Sequence, residues 1–415
     1  MSEYFDHKEI RSQSERENDH LNKLQDLINS AKELSPFYSK SLSLVEADGI
    51  QNLSDLPKLP IVRKSELIEL QNSEPPFGGL GMVPAGKMAR LFLSPGPIVE
   101  PQGEDEDIWR VARALYAVGL REGGIAHNCF AYHFTPAGIM FDYAARTLGC
   151  AVFPGGVGQT EDQVNAINRF QSDAYMGTPD FLKIILEKAE VLNTPITSIT
   201  RALVTGGPLF PDLRNYYEGR GIHVRQCYAT ADVGLIAYES EAMEGMIIDE
   251  DVIVEIVRPG TGDLVPDGEV GEVIVTCFNP NYPLIRFATG DLSAILEGQS
   301  PCGRTNRRIK GWMGRADQTT KVRGMFIHPE QVARVVELHE EIIKARLEVS
   351  DSDGKDTMAL HCEVKSGLAN EDLENQIADT IRIECRLRGN VIFEAVGTLP
   401  NDGKVINDSR DSVLG

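Results

Sequence analysis

The stretch GGIAHNCFAYHFTPAGIMFDYAARTLGCAVFPGG (123–156) contains the pattern on which the fold depends. The strand-like run GGIAHNCFAY is followed by the helix-like segment AGIMFDYAARTLG and then by a second short apolar run, AVFPGG. Further helix-like and strand-like segments continue this alternation to about residue 229. Short continuous apolar strands that alternate with helices are typical of a parallel sheet covered by helices on both faces. The sequence therefore predicts an α/β fold.

The flanking regions follow other patterns. Residues 14–34 have apolar side chains at helical spacing, which predicts an amphipathic helix. From about residue 247 to about residue 300, strand-like segments separated by turns predict an antiparallel β subdomain. A mixed order of helices and strands after residue 316 predicts a small, mobile α+β domain. We therefore expect a large N-terminal domain over 1–315 and a small C-terminal domain over 316–415.

Composition excludes several classes of protein. The 415 residues include 42% hydrophobic and 25% charged residues, which is ordinary for a globular protein, and the formal net charge is -21. Because an acidic surface repels a phosphate backbone, we expect no nucleic-acid partner. The seven scattered cysteines form no CxxC pair, which indicates reduced thiols and a cytoplasmic location. The charged N-terminus does not resemble a signal peptide, and no apolar run is long enough to cross a bilayer, so we expect no membrane partner.

Two motifs in the α/β region combine glycine or polar residues with the ends of strands. TGGP (205–208) follows a strand and precedes a helix, where glycines let a ligand approach backbone amides, although a plain tight turn explains it equally well. QCYATAD (226–232) offers a ring that can stack on a base, Tyr228, and a carboxylate that can hold Mg²⁺, Asp232. Core packing is the alternative explanation for Tyr228.

Three further motifs lie in the second half of the chain. TGD (289–291) follows an apolar strand, and its carboxylate can accept both hydroxyls of a ribose, although this tripeptide is also a common turn. LPNDGK (399–404) places a lysine on a glycine-containing turn. Residues 304–323 are strongly basic, which indicates either a solvated face or a site for a phosphate-bearing ligand. The spacing of cysteines and histidines does not match a four-ligand zinc site.

The order of these motifs resembles a known superfamily. Thr-Gly-Gly, Tyr-x-x-x-Asp, Thr-Gly-Asp, Gly-Arg-x-Asp-x-x-x-Lys-x-x-Gly and a final Gly-Lys are similar to the motifs of the adenylate-forming acyl-CoA ligases. The segment PCGRTNRRIKGWMGRADQTTKVRGMFIHPEQV (301–331) is similar to the phenylacetate–CoA ligase branch. The resemblance covers nearly the whole chain. It implies ATP-dependent ligation of an aromatic or other organic acid to coenzyme A through an acyl-adenylate, with ATP/AMP, Mg²⁺ and CoA as cofactors, and a homodimer.

The resemblance also implies a role for individual residues. The nucleotide-binding residues would be Gly206, Gly207, Pro208, Tyr228, Ala229, Thr230, Asp291 and Arg315. The catalytic residues would be Lys404, which serves adenylation, and Asp232, which takes the Mg²⁺-linked position. Asp317 matches the hinge about which the small domain rotates, and Tyr132, His133 and Phe134 match the aromatic residues beside the acid substrate.

The phosphate loop departs from the family pattern. Where relatives have a loop rich in Ser, Thr and Gly that bears a lysine, this chain reads LSPGPIVEP (93–101). Ser94 and Gly96 remain, Pro95 and Pro97 remove backbone donors, and Glu100 adds a negative charge. We therefore expect weak binding of ATP and ordinary binding of AMP. A non-catalytic nucleotide- or acyl-CoA-binding protein on the same scaffold stays open as the alternative function.

Overall fold

The computed structural model describes residues 3–104, 107–316, 320–323, 325–352, 355–400 and 404–409. Helices and strands alternate through the centre of the chain, as the sequence predicts. The α-helices are α1 (Gln13–Leu34), α2 (Pro36–Ser41), α3 (Leu67–Ser73), α4 (Ala112–Ala117), α5 (Ala137–Thr147), α6 (Thr160–Phe170), α7 (Pro179–Val191), α8 (Pro211–Glu218), α9 (Pro329–Glu337) and α10 (Glu371–Glu384). No helix in the described part of the chain is long and apolar enough to cross a membrane.

The strands belong to a mixture of parallel and antiparallel sheets. Those before residue 240 are β1 (Val62–Arg63), β2 (Arg90–Ser94), β3 (Ile98–Gln102), β4 (Ile125–Asn128), β5 (Ala151–Pro154), β6 (Ala174–Gly177), β7 (Arg201–Val204), β8 (His223–Thr230) and β9 (Gly234–Tyr238). Those after it are β10 (Met246–Ile248), β11 (Val252–Val257), β12 (Gly271–Cys277), β13 (Leu284–Ser293), β14 (Ile295–Leu296), β15 (Arg308–Ile309), β16 (Thr320–Val322), β17 (Met325–Ile327), β18 (Ile342–Ser352), β19 (Lys355–Val364), β20 (Asn390–Glu394) and β21 (Ile406–Asp408). The predicted α/β class is confirmed.

The central sheet has nine strands in the order β14-β15-β10-β9-β8-β7-β6-β4-β5. Its pairs from β5 through β8 are parallel, and the pairs β8–β9, β9–β10 and β10–β15 are antiparallel. Buried apolar side chains of β6 and β7, including Met176 and Leu203, pack in one cluster with Phe141 of α5. A second cluster, on the other face of the sheet, contains Tyr175 of β6 and Leu182 of α7. The parallel strands thus bury apolar side chains on both faces, as their continuous apolar sequence requires.

The chain divides into two compact units. Unit 1 contains Met1–Val254, Val275–Ala288 and Leu296–Trp312, and unit 2 contains Glu255–Ile274, Thr289–Ile295 and Met313–Gly415. Within unit 2, β20, β19, β18 and β21 form a sheet in that order. Its core includes Leu347 of β18, Leu360 of β19 and Ile377 of α10. The predicted boundary between two domains at 315–316 stays a prediction.

The N-terminal helix is positioned by its own sequence and by charge. Ser12 and Glu15 form a capping box at the start of α1, which satisfies backbone donors that the first helical turn leaves unpaired. The buried face of α1 includes Leu24 and Ile28, both fully buried. Ser35 accepts a hydrogen bond from the Tyr38 amide and separates α1 from α2. The predicted amphipathic helix is therefore present.

Candidate active site

The predicted phosphate loop is a β-hairpin in the structure. Strands β2 and β3 pair antiparallel, with Ser94 opposite Ile98 and Phe92 opposite Glu100. Side chains on one face of the hairpin are buried, whereas Leu91 is 52% exposed. The turn at residues 95–97 is exposed, and the polar side chains of Ser94 and Glu100 are buried. The hairpin therefore buries Ser94 and Glu100 on one face, whereas its turn and Leu91 are exposed.

The hairpin is held in place by a glutamine of α3. Gln71 Nε2 donates to the Val99 carbonyl at 2.9 Å, and the Val99 amide donates to Gln71 Oε1 at 2.8 Å. The side-chain amide thus pairs with β3 as a neighbouring strand would. Inside the hairpin, Ser94 Oγ donates to Glu100 Oε1 at 2.6 Å. These contacts fix the position of the Glu100 carboxyl group, and they engage the Ser94 hydroxyl with Glu100 rather than leave it at the turn.

Asp232 lies in the turn between β8 and β9. Its side chain is 1% exposed, and its Oδ2 contacts Lys64 Nζ at 2.5 Å. The other oxygen, Asp232 Oδ1, is buried without a hydrogen-bond partner in the described part of the chain, and so is Glu100 Oε2. We call Glu100 and Asp232 the carboxylate pair. Each member therefore has one oxygen free to bind a further group.

Electrostatics couples the two members of the carboxylate pair. Burial raises the pKa of Glu100 to about 8, and the negative charge of Asp232 acts in the same direction. The hydrogen bond from Ser94 and the charge of Lys64 oppose this rise in the pKa. Glu100 therefore holds a proton at neutral pH when nothing else compensates its charge.

The predicted TGGP motif lies at the carboxyl end of β7. Gly206, Gly207 and Pro208 are exposed, and Gly206 has a φ of +76°, a left-handed conformation that favours glycine. Val204 of β7 pairs with Gln226 of β8, so the TGGP turn and the end of β8 lie at the same edge of the sheet. Carboxyl edges of parallel sheets are where ligands of α/β proteins bind.

The adjoining strand, β8, brings the remaining nucleotide-binding candidates of unit 1 to this edge. Tyr228 is 7% exposed and pairs with Ala237 of β9. Ala229 and Thr230 follow it and are half-buried, and the Thr230 hydroxyl accepts a hydrogen bond from the Val233 amide at 3.2 Å. The Thr230 hydroxyl therefore stabilises the turn that carries Asp232.

Asp291 and Arg315 lie side by side in unit 2. Arg315 Nη1 donates to Asp291 Oδ1 at 3.0 Å, and the two residues form an antiparallel backbone bridge. The side chain of Arg315 is 54% exposed, whereas that of Asp291 is 10% exposed. Gly290, between Thr289 and Asp291, has a φ of +75°, a left-handed conformation that favours glycine. The structure thus brings together the two residues predicted to contact a ribose.

The other predicted residues of unit 2 are only partly described. Lys404 is exposed and lies two residues before the start of β21, and its carbonyl accepts a hydrogen bond from Arg346 Nε at 3.2 Å. The predicted hinge residue, Asp317, lies outside the described residues.

The predicted acyl-pocket residues belong to the segment that leads into α5. Tyr132 Oη donates to Asp142 Oδ2 at 3.0 Å and accepts from Asn128 Nδ2 at 2.8 Å, so Tyr132 is anchored at its hydroxyl. His133 is exposed, and Phe134 is 76% exposed at a φ of +64°. The Phe134 carbonyl accepts a hydrogen bond from the Leu93 amide at 2.7 Å. This segment and the hairpin are therefore directly joined.

The basic run at 304–323 contains residues with internal partners. Arg304 has a 1% exposed side chain whose Nε lies 3.2 Å from Glu9 Oε2. Arg308 has a 4% exposed side chain that contacts Glu244 at 3.3 Å. These two arginines pair within unit 1, whereas Arg315 of the same run has a 54% exposed side chain, so the expectation of a site for a phosphate-bearing ligand in this run stays a prediction. The acidic partners of Arg304 and Arg308 lie far away in the sequence, so the local composition does not reveal the pairing.

Sequence reasoning missed two residues at this site, Lys64 and Gln71. Lys64 lies between β1 and α3, Gln71 lies in α3, and no catalytic motif marks either of them.

The fold is that of the acyl-CoA ligases of the adenylate-forming superfamily. The chain superimposes on a crystal structure of 2-hydroxyisobutyryl-CoA ligase in an open conformation, in complex with 2-HIB-AMP and CoA, with a TM-score of 0.73. That match has 22% identity and covers 96% of this chain and 92% of the other. At this identity the likeness establishes the fold alone.

Sequence relatives define the family. The chain is 32% identical over 374 residues to the phenylacetate-coenzyme A ligase of Aromatoleum evansii, which covers 86% of this chain and 83% of that protein. It is 29% identical over 377 residues to the enzyme of the same name from Thermus thermophilus, and this match covers 86% of this chain and 84% of that protein. No protein-family model matches the chain. The chain belongs to the phenylacetate–coenzyme A ligase family.

Proposed function

We propose that this protein joins a carboxylic acid to coenzyme A through an acyl-adenylate made from ATP. The observation that carries this proposal is membership in the phenylacetate–coenzyme A ligase family. The arrangement of the site supports it, because the TGGP turn and Tyr228 lie at one sheet edge and Asp291 lies beside Arg315. Adenylation joins two anions, so the protein must hold an acid and a triphosphate together while positive groups offset their charge.

Each group has a distinct task in this proposal. Tyr228 stacks on the adenine, Asp291 binds the ribose hydroxyls, and Arg315 contacts the ribose or a phosphate. Lys404 offsets negative charge during adenylation, and Asp232 holds Mg²⁺, which offsets charge on the phosphates when bound. The carboxylate oxygens of Asp232 suit Mg²⁺, and the buried Oδ1 without a hydrogen-bond partner in the described part of the chain is free to bind it.

The proposed acid is an aromatic or similar apolar carboxylic acid. Phe134 offers an exposed aromatic ring at the segment joined to the hairpin, and Tyr132 is held by Asn128 and Asp142. An apolar ring placed beside the reacting carboxylate favours a substrate with an apolar body.

The proposed second step requires a different surface. Thioester formation needs CoA to reach the adenylate, and rotation of the small C-terminal domain about Asp317 would supply that surface. We propose 315–316 as the boundary of this domain. Limited proteolysis should cut the chain between residues 315 and 326, since exposed linkers are the preferred sites of cleavage. A resistant chain would contradict the proposed hinge.

The activity is tested by pyrophosphate release. The full chain is incubated with ATP, Mg²⁺ and single acids, among them phenylacetate, and mass spectrometry then detects acyl-AMP and, after addition of CoA, acyl-CoA. We expect both products with at least one aromatic acid. Binding of AMP or CoA without pyrophosphate release from any acid would instead favour the non-catalytic binding protein, for which the altered hairpin is the supporting observation. Light scattering on the same sample tests the proposed homodimer.

The lysine is tested by separating the half-reactions. Lys404→Ala should lower the rate of adenylation by about a hundredfold or more, while transfer from synthetic acyl-adenylate to CoA stays close to that of the wild type. Lys365→Ala is the matched control, because Lys365 is also an exposed lysine of unit 2. Equal effects of the two substitutions would contradict the assignment.

A further inference from the structure

We propose that Glu100 and Asp232 together form a site for one divalent cation, and that the Lys64 ammonium group takes the place of that cation in the unliganded protein. Glu100 thereby acts as a ligand in a hairpin that has lost the family's phosphate-binding lysine. The inference deepens the proposed function, and it rests on that function for the nucleotide whose phosphates complete the site.

The first argument is that two buried carboxyl oxygens lack hydrogen-bond partners in the described part of the chain. The Asp232 side chain is 1% exposed and residue Glu100 is 3% exposed. Asp232 Oδ1 and Glu100 Oε2 have no hydrogen-bond partner in the described part of the chain. Buried carboxylate oxygens without a partner are costly, and a cation that binds both would satisfy them at once.

The second argument is that the two carboxyl groups are held in place independently. Ser94 donates to Glu100 at 2.6 Å, and Gln71 pairs with both backbone groups of the neighbouring Val99. Asp232 is held by the turn that the Thr230 hydroxyl stabilises. Ligands positioned in advance by other contacts are typical of sites that bind a metal ion.

The third argument concerns the ammonium group. Lys64 Nζ lies 2.5 Å from Asp232 Oδ2, and the Lys64 side chain is 24% exposed although its partner is almost fully buried. A long, partly exposed lysine side chain can turn its charged end into water while the carboxyl groups remain in place. The site can therefore exchange this monovalent group for a metal ion without rearrangement of the hairpin.

The ligand set defines the class of cation. Two carboxyl groups supply hard oxygen ligands, which suit Mg²⁺ or Mn²⁺ and not a thiolate-preferring metal. The described residues hold no group of three or more His, Cys, Asp or Glu side chains arranged for a metal. Mg²⁺ is commonly held by one or two carboxylates together with substrate phosphates and water. We therefore infer that the cation brings the nucleotide phosphates to the hairpin.

The test measures Mn²⁺ binding to the full chain, first without nucleotide and then with ATP. The electron paramagnetic resonance signal of free Mn²⁺ reports how much of the ion remains unbound. We expect one site whose affinity for Mn²⁺ rises when ATP is present. Glu100→Gln and Asp232→Asn should each weaken Mn²⁺ binding by about ten- to a hundredfold. Glu104→Gln is the matched control, because Glu104 is an exposed carboxylate just beyond the same hairpin. Unchanged affinity in Glu100→Gln would overturn the proposal.

Lys64→Met distinguishes a place-holding ammonium group from a structural ion pair. If Lys64 competes with the metal ion, its removal should tighten Mn²⁺ binding, and Mn²⁺ should raise the melting temperature of the variant more than that of the wild type. Weaker Mn²⁺ binding by Lys64→Met would contradict the proposal. Melting curves without metal identify any variant that fails to fold.

The failure of this inference can be told apart from failure of the proposed function. Mn²⁺ bound through Glu100 in a protein that releases pyrophosphate with no acid would reject the ligase and keep the site. Acyl-adenylate formation in a protein whose Mn²⁺ affinity is unchanged by Glu100→Gln would reject the site and keep the ligase.

Discussion

Two groups of buried or half-buried carboxylates in unit 1 are compensated to different degrees. The N-terminal ion-pair network consists of Glu250 and Asp251 with Arg11, Arg16, Lys8 and Lys23. Arg11 and Arg16 contact Glu250 at 3.0 and 2.9 Å, and Lys8 and Lys23 contact Asp251 at 2.7 and 2.8 Å. In the carboxylate pair, by contrast, Lys64 contacts Asp232, and Glu100 is hydrogen-bonded by a neutral hydroxyl.

The difference shows how a structural cluster of charges differs from a binding site. In the N-terminal network, hydrogen bonds from Lys23 and Lys8 outweigh the effect of burial at Asp251 and lower its pKa, whereas at Glu250 burial outweighs Arg16 and Arg11 and raises the pKa. In the carboxylate pair, burial prevails and the pKa of Glu100 rises to about 8. A fully paired network has nothing left to bind, whereas a pair with free oxygens can accept a ligand.

The largest expected effect is on the paired network. Arg16 binds both oxygens of Glu250 from a side chain that is 2% exposed. Arg16→Met should lower the free energy of unfolding by about 3–5 kcal/mol, because it leaves a buried carboxylate undercompensated. Urea unfolding followed by circular dichroism measures this change.

A matched control is Arg220→Ala, which removes an exposed arginine from its contact with Glu190. Exposed ion pairs contribute about 0–1 kcal/mol, so the change in unfolding free energy should stay within that range. An Arg16→Met protein as stable as Arg220→Ala would remove the distinction between the two clusters.

A smaller effect, spread over pH, is expected at the carboxylate pair. At pH values between the ordinary pKa of a glutamate and about 8, which is the pKa of Glu100 in the folded protein, folded Glu100 keeps its proton and unfolded Glu100 loses it. The wild type should therefore lose stability relative to Glu100→Gln as pH rises through this window, by at most about 1.4 kcal/mol for each pH unit. Melting temperatures of both proteins at pH 5, 6, 7 and 8 measure the difference. A constant difference would show that Glu100 is ionised throughout.

The smallest expected effect concerns nucleotide selectivity without metal. With EDTA present, ATP should bind no more than about threefold tighter than AMP, because the hairpin lacks the lysine contact that would contribute about 1.5–3 kcal/mol. Calorimetry with ATP and AMP, with and without Mg²⁺, provides the comparison. ATP bound a hundredfold tighter than AMP in EDTA would mean that another basic residue replaces the missing lysine.

The central fold could be predicted because its information is local. Strands β4 to β8 are short apolar runs bounded by Gly, Pro or polar residues, and α5 to α8 between them follow helical spacing. The hairpin β2–β3 was not predicted as strands, because its exposed residues Leu91 and Leu93 are as apolar as buried Phe92, so polar and apolar residues do not alternate, and because prolines interrupt the run. Strand β21 has three residues and becomes a strand by pairing with β18, where Ile406 lies opposite Leu347.

The site was predictable in part. Its motifs could be recognised from residue type and order, and Asp291 and Arg315 do lie together. The partners of charged residues could not be recognised, since Glu9 reaches Arg304 and Lys64 reaches Asp232 from distant parts of the chain.

The sequence by itself determined the α/β class, the order of the motifs and the family, because apolar periodicity and short motifs act over neighbouring residues. Only the tertiary structure decided which charges are buried and which are compensated. From the sequence alone, Glu100 is an acidic residue in a loop. Folding buries Glu100 close enough to Asp232 and Lys64 for their charges to affect its pKa. Whether a side chain is ionised, and how well its charge is compensated, depends on burial and on partners from elsewhere in the chain. A linear sequence shows neither.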